Sequence, residues 1–212
     1  CDDDMTANYT YPSCEGIAEN GCSWTQCSVD DVAFSAALVQ EVSANVCIDS
    51  ERVYAVGGSN GGMFVWDLGR DAQSAEVFTA VAPILGLPHR GYLDPPISEG
   101  GMPVISITGS RDRTVPPGDW EQESFTTTSD GDVYYYSSAS AITRVWAESH
   151  GCDTTVPAES IDVGSSSMEC RGWSYCQSDS QWPPVLDCRG DMGHRYNLSS
   201  SWPLILDFFE QL

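Results

Sequence analysis

The chain has 212 residues, and its 31 acidic side chains outnumber nine basic ones, all of them Arg, for a formal net charge of -22. That charge excludes nucleic acid and anionic membrane surfaces as partners, because a polyanion is repelled; the absence of Lys excludes Schiff-base and P-loop chemistry. With 41% hydrophobic residues there is enough apolar material for one folded core, and no apolar run is long enough to predict a membrane span.

Residues 1–27 are polar, Cys-rich and irregular in pattern. Ser28-Val29-Asp30-Asp31 reads as a capping box, with the Ser hydroxyl on an orphan N–H and carboxylates at the positive helix end. Phe34, Leu38 and Val42 then recur at helical spacing, which predicts a helix over 29–46 that buries this stripe. Arg52–Gly57 reads as a short strand, Asn60 to about Arg70 as a helix, and 77–83 and 103–108 as buried strands. Residues 110–135 form a Gly/Pro/Ser/Thr-rich excursion, read as a surface loop or lid. A helix over 137–149 stops at His150-Gly151. A short strand at 184–188 and a final helix over 202–212, with Pro203 in its first turn, complete the chain. Strands alternating with helices predict an α/β fold with a mostly parallel sheet.

The nine Cys split into Cys1, Cys14, Cys22, Cys27 and Cys47, then Cys152, Cys170, Cys176 and Cys188. Their spacings do not make paired C-x-x-C zinc sites, so disulfides are the expected state. The later four can close two bridges in three ways, and the earlier five leave one Cys over. That one is free or pairs outside the chain, with Cys1 the outward-reaching candidate by position. Two N-x-S/T sequons, at Asn8 and Asn197, also suit a secreted, glycosylated protein.

Gly57-Gly58-Ser59-Asn60-Gly61 is a G-x-S-x-G string between a predicted strand and a predicted helix, the context of a nucleophile elbow. Glycine at both flanks is expected because strand and helix crowd the turn. Ser59 is then the candidate nucleophile, and the Asn60 backbone N–H a candidate oxyanion donor. A Ser hydroxyl needs a base. Of the three His, His194 lies in a Gly-rich turn past the last strand, where a base is required. His89 precedes any later acid, and His150 suits a cation at a helix C-terminus. Asp112, just past the 103–108 strand, is the candidate acid that orients His194; Asp187 and Asp191 are rivals lying close to His194 in sequence. Met63, Trp66, Leu85, Leu87 and Trp24 are candidate pocket residues, each more readily explained as core. No metal or cofactor is implied.

These residues resemble a known family. Asp30–Phe34, Arg52–Tyr54 with Gly57–Met63, Gly109-Ser110-Arg111-Asp112 with Val115-Pro116, and Gly193-His194 are similar to the polyhydroxybutyrate-depolymerase-like esterases, which include the feruloyl and acetylxylan esterases of carbohydrate esterase family 1. Cys170, Cys176, Pro184-Val185 and Cys188 ahead of Gly193-His194 resemble the secreted feruloyl branch. The resemblance covers about 28–212. It implies an α/β-hydrolase domain, with 1–27 as a lead-in, and a secreted Ser-His-Asp esterase acting on polysaccharide-linked feruloyl or acetyl esters or on polyesters. Two departures stand out. The family's G-G-H-x-W-P ending is Met192-Gly193-His194-Arg195-Tyr196 here. The family's upstream strand and H-G oxyanion loop are also missing, so the chain is expected to be the C-terminal portion of a hydrolase, linked by disulfide to an N-terminal segment. The alternative is a non-catalytic extracellular structural or glycan-binding subunit derived from such an esterase.

Overall fold

The computed structural model describes residues 8–10, 23–25, 30–89, 101–118, 124–127, 133–164, 166–176 and 180–212. Its centre is a six-stranded sheet built from β3 (Tyr54–Gly58), β4 (Ala80–Ile84), β5 (Val104–Gly109), β8 (Glu159–Ile161), β9 (Glu169–Gly172) and β10 (Val185–Gly190). The spatial order is β3-β4-β5-β10-β9-β8. The first four strands are parallel neighbours, and β9 and β8 add antiparallel pairs at the far edge. Two small antiparallel pairs form separate sheets: β1 (Asn8–Thr10) with β2 (Ser23–Thr25), and β6 (Ser124–Thr127) with β7 (Val133–Tyr136).

The central strands β4 and β5 are buried along their whole length, as a parallel sheet covered on both faces requires. Their alternate residues feed two separate cores. Val81 and Val104 point to one face, where α2 (Asn60–Arg70) and α3 (Ala139–Ser149) supply Trp66 and Trp146. These two indoles meet edge to face at 4.8 Å, and each donates its N–H to a loop carbonyl, that of Gly86 and of Met102. Ala80, Ala82, Ile84, Ile105 and Ile107 point to the other face, against Leu204, Ile205 and Phe208 of α4 (Leu198–Glu210). Tyr54 stacks on Phe209 at 4.1 Å and fixes the end of α4 to β3. The result is a three-layer α/β architecture.

Helix α1 (Asp31–Asn45) forms close to where the pattern predicts, but it is rotated. Its N-cap is Asp30, whose carboxylate accepts the Ala33 N–H at 3.0 Å; Ser28 lies outside the described residues. The stripe predicted to be buried is exposed: Phe34 by 59%, Leu38 by 52% and Val42 by 41%. Ala36 is buried instead, with Val32 and Val39 packed against the core. Positions 32, 36 and 39 also recur at helical spacing. The helix lies close to the neighbouring 3-10 turn at Ser74–Glu76, and its small face is the one turned inward.

Three more differences from the sequence pattern concern short elements. The excursion at 110–135 contains the β6 strand and the start of β7, which runs on to Tyr136. Strands β8 and β9, of three and four residues, carry no apolar run. Helix α4 begins at Leu198, so Pro203 sits inside it rather than in its first turn.

Two disulfides close among the later Cys, Cys152–Cys176 and Cys170–Cys188, the second between directly opposed residues of β9 and β10. Cys47 is an exposed free thiol, while Cys1, Cys14, Cys22 and Cys27 lie outside the described residues. No described helix is long and apolar enough to cross a membrane.

Candidate active site

Strand β3 ends at Gly58, Ser59 turns the chain, and α2 begins at Asn60. Ser59 has φ 54, a left-handed conformation that costs a non-Gly residue energy and marks a constrained turn. The turn is braced from β4: the Ser59 N–H donates to the Ile84 carbonyl at 2.8 Å. The glycine requirement is real but falls differently from the flanking expectation. A Cβ at Gly57 would collide with the Gly61 carbonyl, and one at Gly58 with the Tyr196 ring. A Cβ at Gly61 would meet nothing, whereas one at Gly62 would press on the Gly57 carbonyl oxygen at 3.1 Å. The crowding therefore rests on Gly57, Gly58 and Gly62.

Asp112 and His194 approach Ser59 from the ends of β5 and β10. These strands are direct neighbours, and the loops that follow them are bonded together. The Ser110 N–H donates to Gly190 O at 2.9 Å and the Arg111 N–H to Met192 O at 3.0 Å. Asp112 is buried, and one carboxylate oxygen accepts the N–H groups of Thr114 and Val115 at 2.8 and 3.0 Å. The other lies 2.7 Å from His194 Nδ1. His194 Nε2 lies 3.0 Å from Ser59 Oγ. With Nδ1–H held by the carboxylate, Nε2 is left as the acceptor for the Ser hydroxyl. As the first residue of α2, Asn60 has a backbone N–H with no intrahelical partner.

The rival residues are otherwise engaged. Asp187 is buried in β10 and paired with Arg189 at 3.0 Å, with burial raising its pKa against the Arg. Asp191 forms an exposed ion pair with Arg111 at 2.7 Å. His89 is buried against Tyr134 and Tyr136, and desolvation pushes its pKa down to about 4. His150 does sit at the α3 C-cap, but burial lowers its pKa too. The neutral imidazole is favoured there, so the expected cation at the helix end is corrected.

Of the candidate pocket residues, Trp66 and Leu87 are wholly buried core, and Met63 and Leu85 are nearly so. Leu85 follows β4 with φ 51, one residue past the carbonyl that braces Ser59. Trp24 pairs with Tyr9 in the β1–β2 ladder, which is not hydrogen-bonded into the six-stranded sheet. Sequence reasoning passed over Tyr196 as a site residue. It is 53% exposed, its ring lies on Gly58, and its hydroxyl has no hydrogen bond among the described residues. The signal available was its position two residues after His194.

No family model matches the chain. "Putative esterase NocK" of Nocardia uniformis subsp. tsuyamanensis is 37% identical over 90 residues, 41% of this chain and 24% of that protein. Feruloyl esterase B of Piromyces equi is 26% identical over 152 residues, 68% of this chain and 26% of that protein. The chain thus spans about a quarter of the length of these two relatives. The solved acetyl xylan esterase from Aspergillus awamori superposes with a TM-score of 0.57 at 14% identity, covering 86% of this chain and 68% of that one. The fold is accordingly of the α/β-hydrolase type, and the resemblance of this chain to esterases, feruloyl esterase among them, read first in its sequence, is borne out.

Proposed function

We propose that the chain is the catalytic core of a secreted serine carboxylic-ester hydrolase acting on polysaccharide-linked feruloyl or acetyl esters or on polyesters. The observation that carries the reading is the unbroken chain from Ser59 Oγ through the His194 ring to the buried Asp112 carboxylate. Ser59 attacks the ester carbonyl as His194 takes its proton, and Asp112 holds the imidazole tautomer and stabilises the imidazolium. The Asn60 N–H receives the developing oxyanion. His194 then protonates the departing alcohol, and water releases the acid from the acyl-enzyme by the same path.

The similarity to feruloyl esterase B supports the ester class. Two disulfides support an oxidising compartment, and glycosylation at Asn8 and Asn197 belongs to the same proposal. Asn197 is exposed, and the Ser199 hydroxyl of its sequon donates to the Asn197 side chain at 2.8 Å. A disulfide link to a further N-terminal segment is also part of the reading, with the exposed Cys47 as the described candidate tether. The test is turnover of p-nitrophenyl acetate, methyl ferulate and acetylated xylan by the native protein. Hydrolysis that is lost in Ser59→Ala supports the reading. No turnover of any of the three overturns it and favours a non-catalytic role.

A further inference from the structure

Tyr196 is an exposed aromatic side chain at the nucleophile turn. The chain bends tightly at His194, with the Arg195 N–H donating to the Gly193 carbonyl at 2.7 Å, and Tyr196 follows directly. Its ring comes back onto strand β3. A Cβ built on Gly58 would collide with Tyr196 Cε1 and stand 2.7 Å from both its Cζ and its hydroxyl oxygen. The bare Cα of Gly58 is what admits the ring there. Gly58 is the residue before Ser59, and consecutive Cα atoms are about 3.8 Å apart. The hydroxyl edge of the ring therefore lies over the backbone that presents the nucleophile, and the backbone of Tyr196 is two residues from the base.

Much of that ring is left open. Tyr196 is 53% exposed, stacks on no other aromatic ring and makes no hydroxyl hydrogen bond among the described residues. An ester set for attack has its carbonyl carbon at Ser59 Oγ and its leaving oxygen within reach of His194 Nε2, two atoms 3.0 Å apart. Its acid and alcohol parts must then extend over the surface around residues 58–59 and 194–196, where the open tyrosine stands. An aromatic face there attracts a flat partner ring by dispersion and by its quadrupole. An acetyl group, with a single methyl, has too little apolar surface to cover it.

We propose that Tyr196 is a specificity-determining residue that stacks on an aromatic ring carried by the ester next to the scissile bond. The inference rests on the proposed function and narrows it from esters in general to aromatic esters. The ring enters either with the acid, as in a hydroxycinnamoyl ester, or with the alcohol, as in a phenyl ester; both present the same flat apolar face. Tyr196 takes no part in making or breaking bonds.

The experiment is steady-state hydrolysis of methyl ferulate, phenyl acetate and methyl acetate by the native protein, Tyr196→Ala and Tyr196→Phe. In Tyr196→Ala, kcat/KM for at least one of the two ring-bearing esters falls about fivefold more than for methyl acetate, the worth of one aromatic contact. Tyr196→Phe keeps the native ratio, because the ring and not the hydroxyl makes the contact. A fall limited to methyl ferulate puts the ring on the acid side, and one limited to phenyl acetate puts it on the alcohol side. An equal fall for all three esters, no fall for any, or a Tyr196→Phe variant as impaired as Tyr196→Ala overturns the proposal and leaves the esterase reading standing. If the native protein hydrolyses none of the three, the esterase reading falls and isothermal titration with methyl ferulate and phenyl acetate decides the contact itself. Binding weakened about fivefold in Tyr196→Ala then keeps it, and no binding or native-like affinity overturns it.

Discussion

Asp112 is held by three contacts before any substrate arrives, so its replacement is informative. Asp112→Asn keeps the shape but removes the charge and offers His194 the wrong tautomer; kcat for p-nitrophenyl acetate is expected to fall by about 10,000-fold with little change in melting temperature. Gly58 carries a different prediction. Gly58→Ala places a methyl group against the Tyr196 ring, so the ring must swing away from the nucleophile turn. Turnover is expected to drop while the double variant Gly58→Ala with Tyr196→Ala regains part of it, which steady-state kinetics on the three proteins would read. His89 makes a statement about stability. Its folded pKa near 4 lies below the ordinary value of 6.5, so the unfolded chain binds the extra proton first. The stabilisation is complete above pH 6.5 and is lost as pH falls towards 4, by about 3 kcal/mol when protonation of the unfolded state is complete. Urea unfolding between pH 4 and 7 should show this slope, and His89→Phe should flatten it.

At the scale of elements, α1 is the sharpest case, because its pattern admits two apolar stripes half a turn apart. The structure turns Ala36 inward and Phe34, Leu38 and Val42 outward. Leu38→Gln should therefore change stability by no more than about 0.5 kcal/mol, while Ala36→Leu should cost about 1–3 kcal/mol by overpacking. The opposite ranking in chemical denaturation would restore the stripe first read from the sequence. The Cys170–Cys188 bridge joins β9 to β10, the strand that leads to His194. With a separation of 18 residues, its removal in Cys170→Ser with Cys188→Ser should cost about 3 kcal/mol, seen as a lower melting temperature.

For the whole molecule, the parallel sheet and the grouping of the candidate site residues were legible because their signals are local and redundant. The apolar runs of β4 and β5 leave little choice but burial, and the glycines around Ser59 sit between a strand and a helix. Asp112 and His194 each follow a strand end, so a parallel β5–β10 pair brings them together. What escaped the sequence depends on contacts distant in the chain. The orientation of α1 depends on the core against which Val32 and Val39 pack, the short strands β8 and β9 on pairing that leads to β10, and the place of Tyr196 on the bare Cα of Gly58. The charge of -22 suits the proposed esterase reading, in which the substrate is neutral and the acid product is repelled on release.

The central claim is that Ser59 is an activated nucleophile, and fluorophosphonate labelling of the native protein followed by peptide mapping tests it most directly. A single adduct on Ser59, abolished in His194→Ala, is the predicted result. An unlabelled Ser59, or an adduct on another residue, would contradict the account.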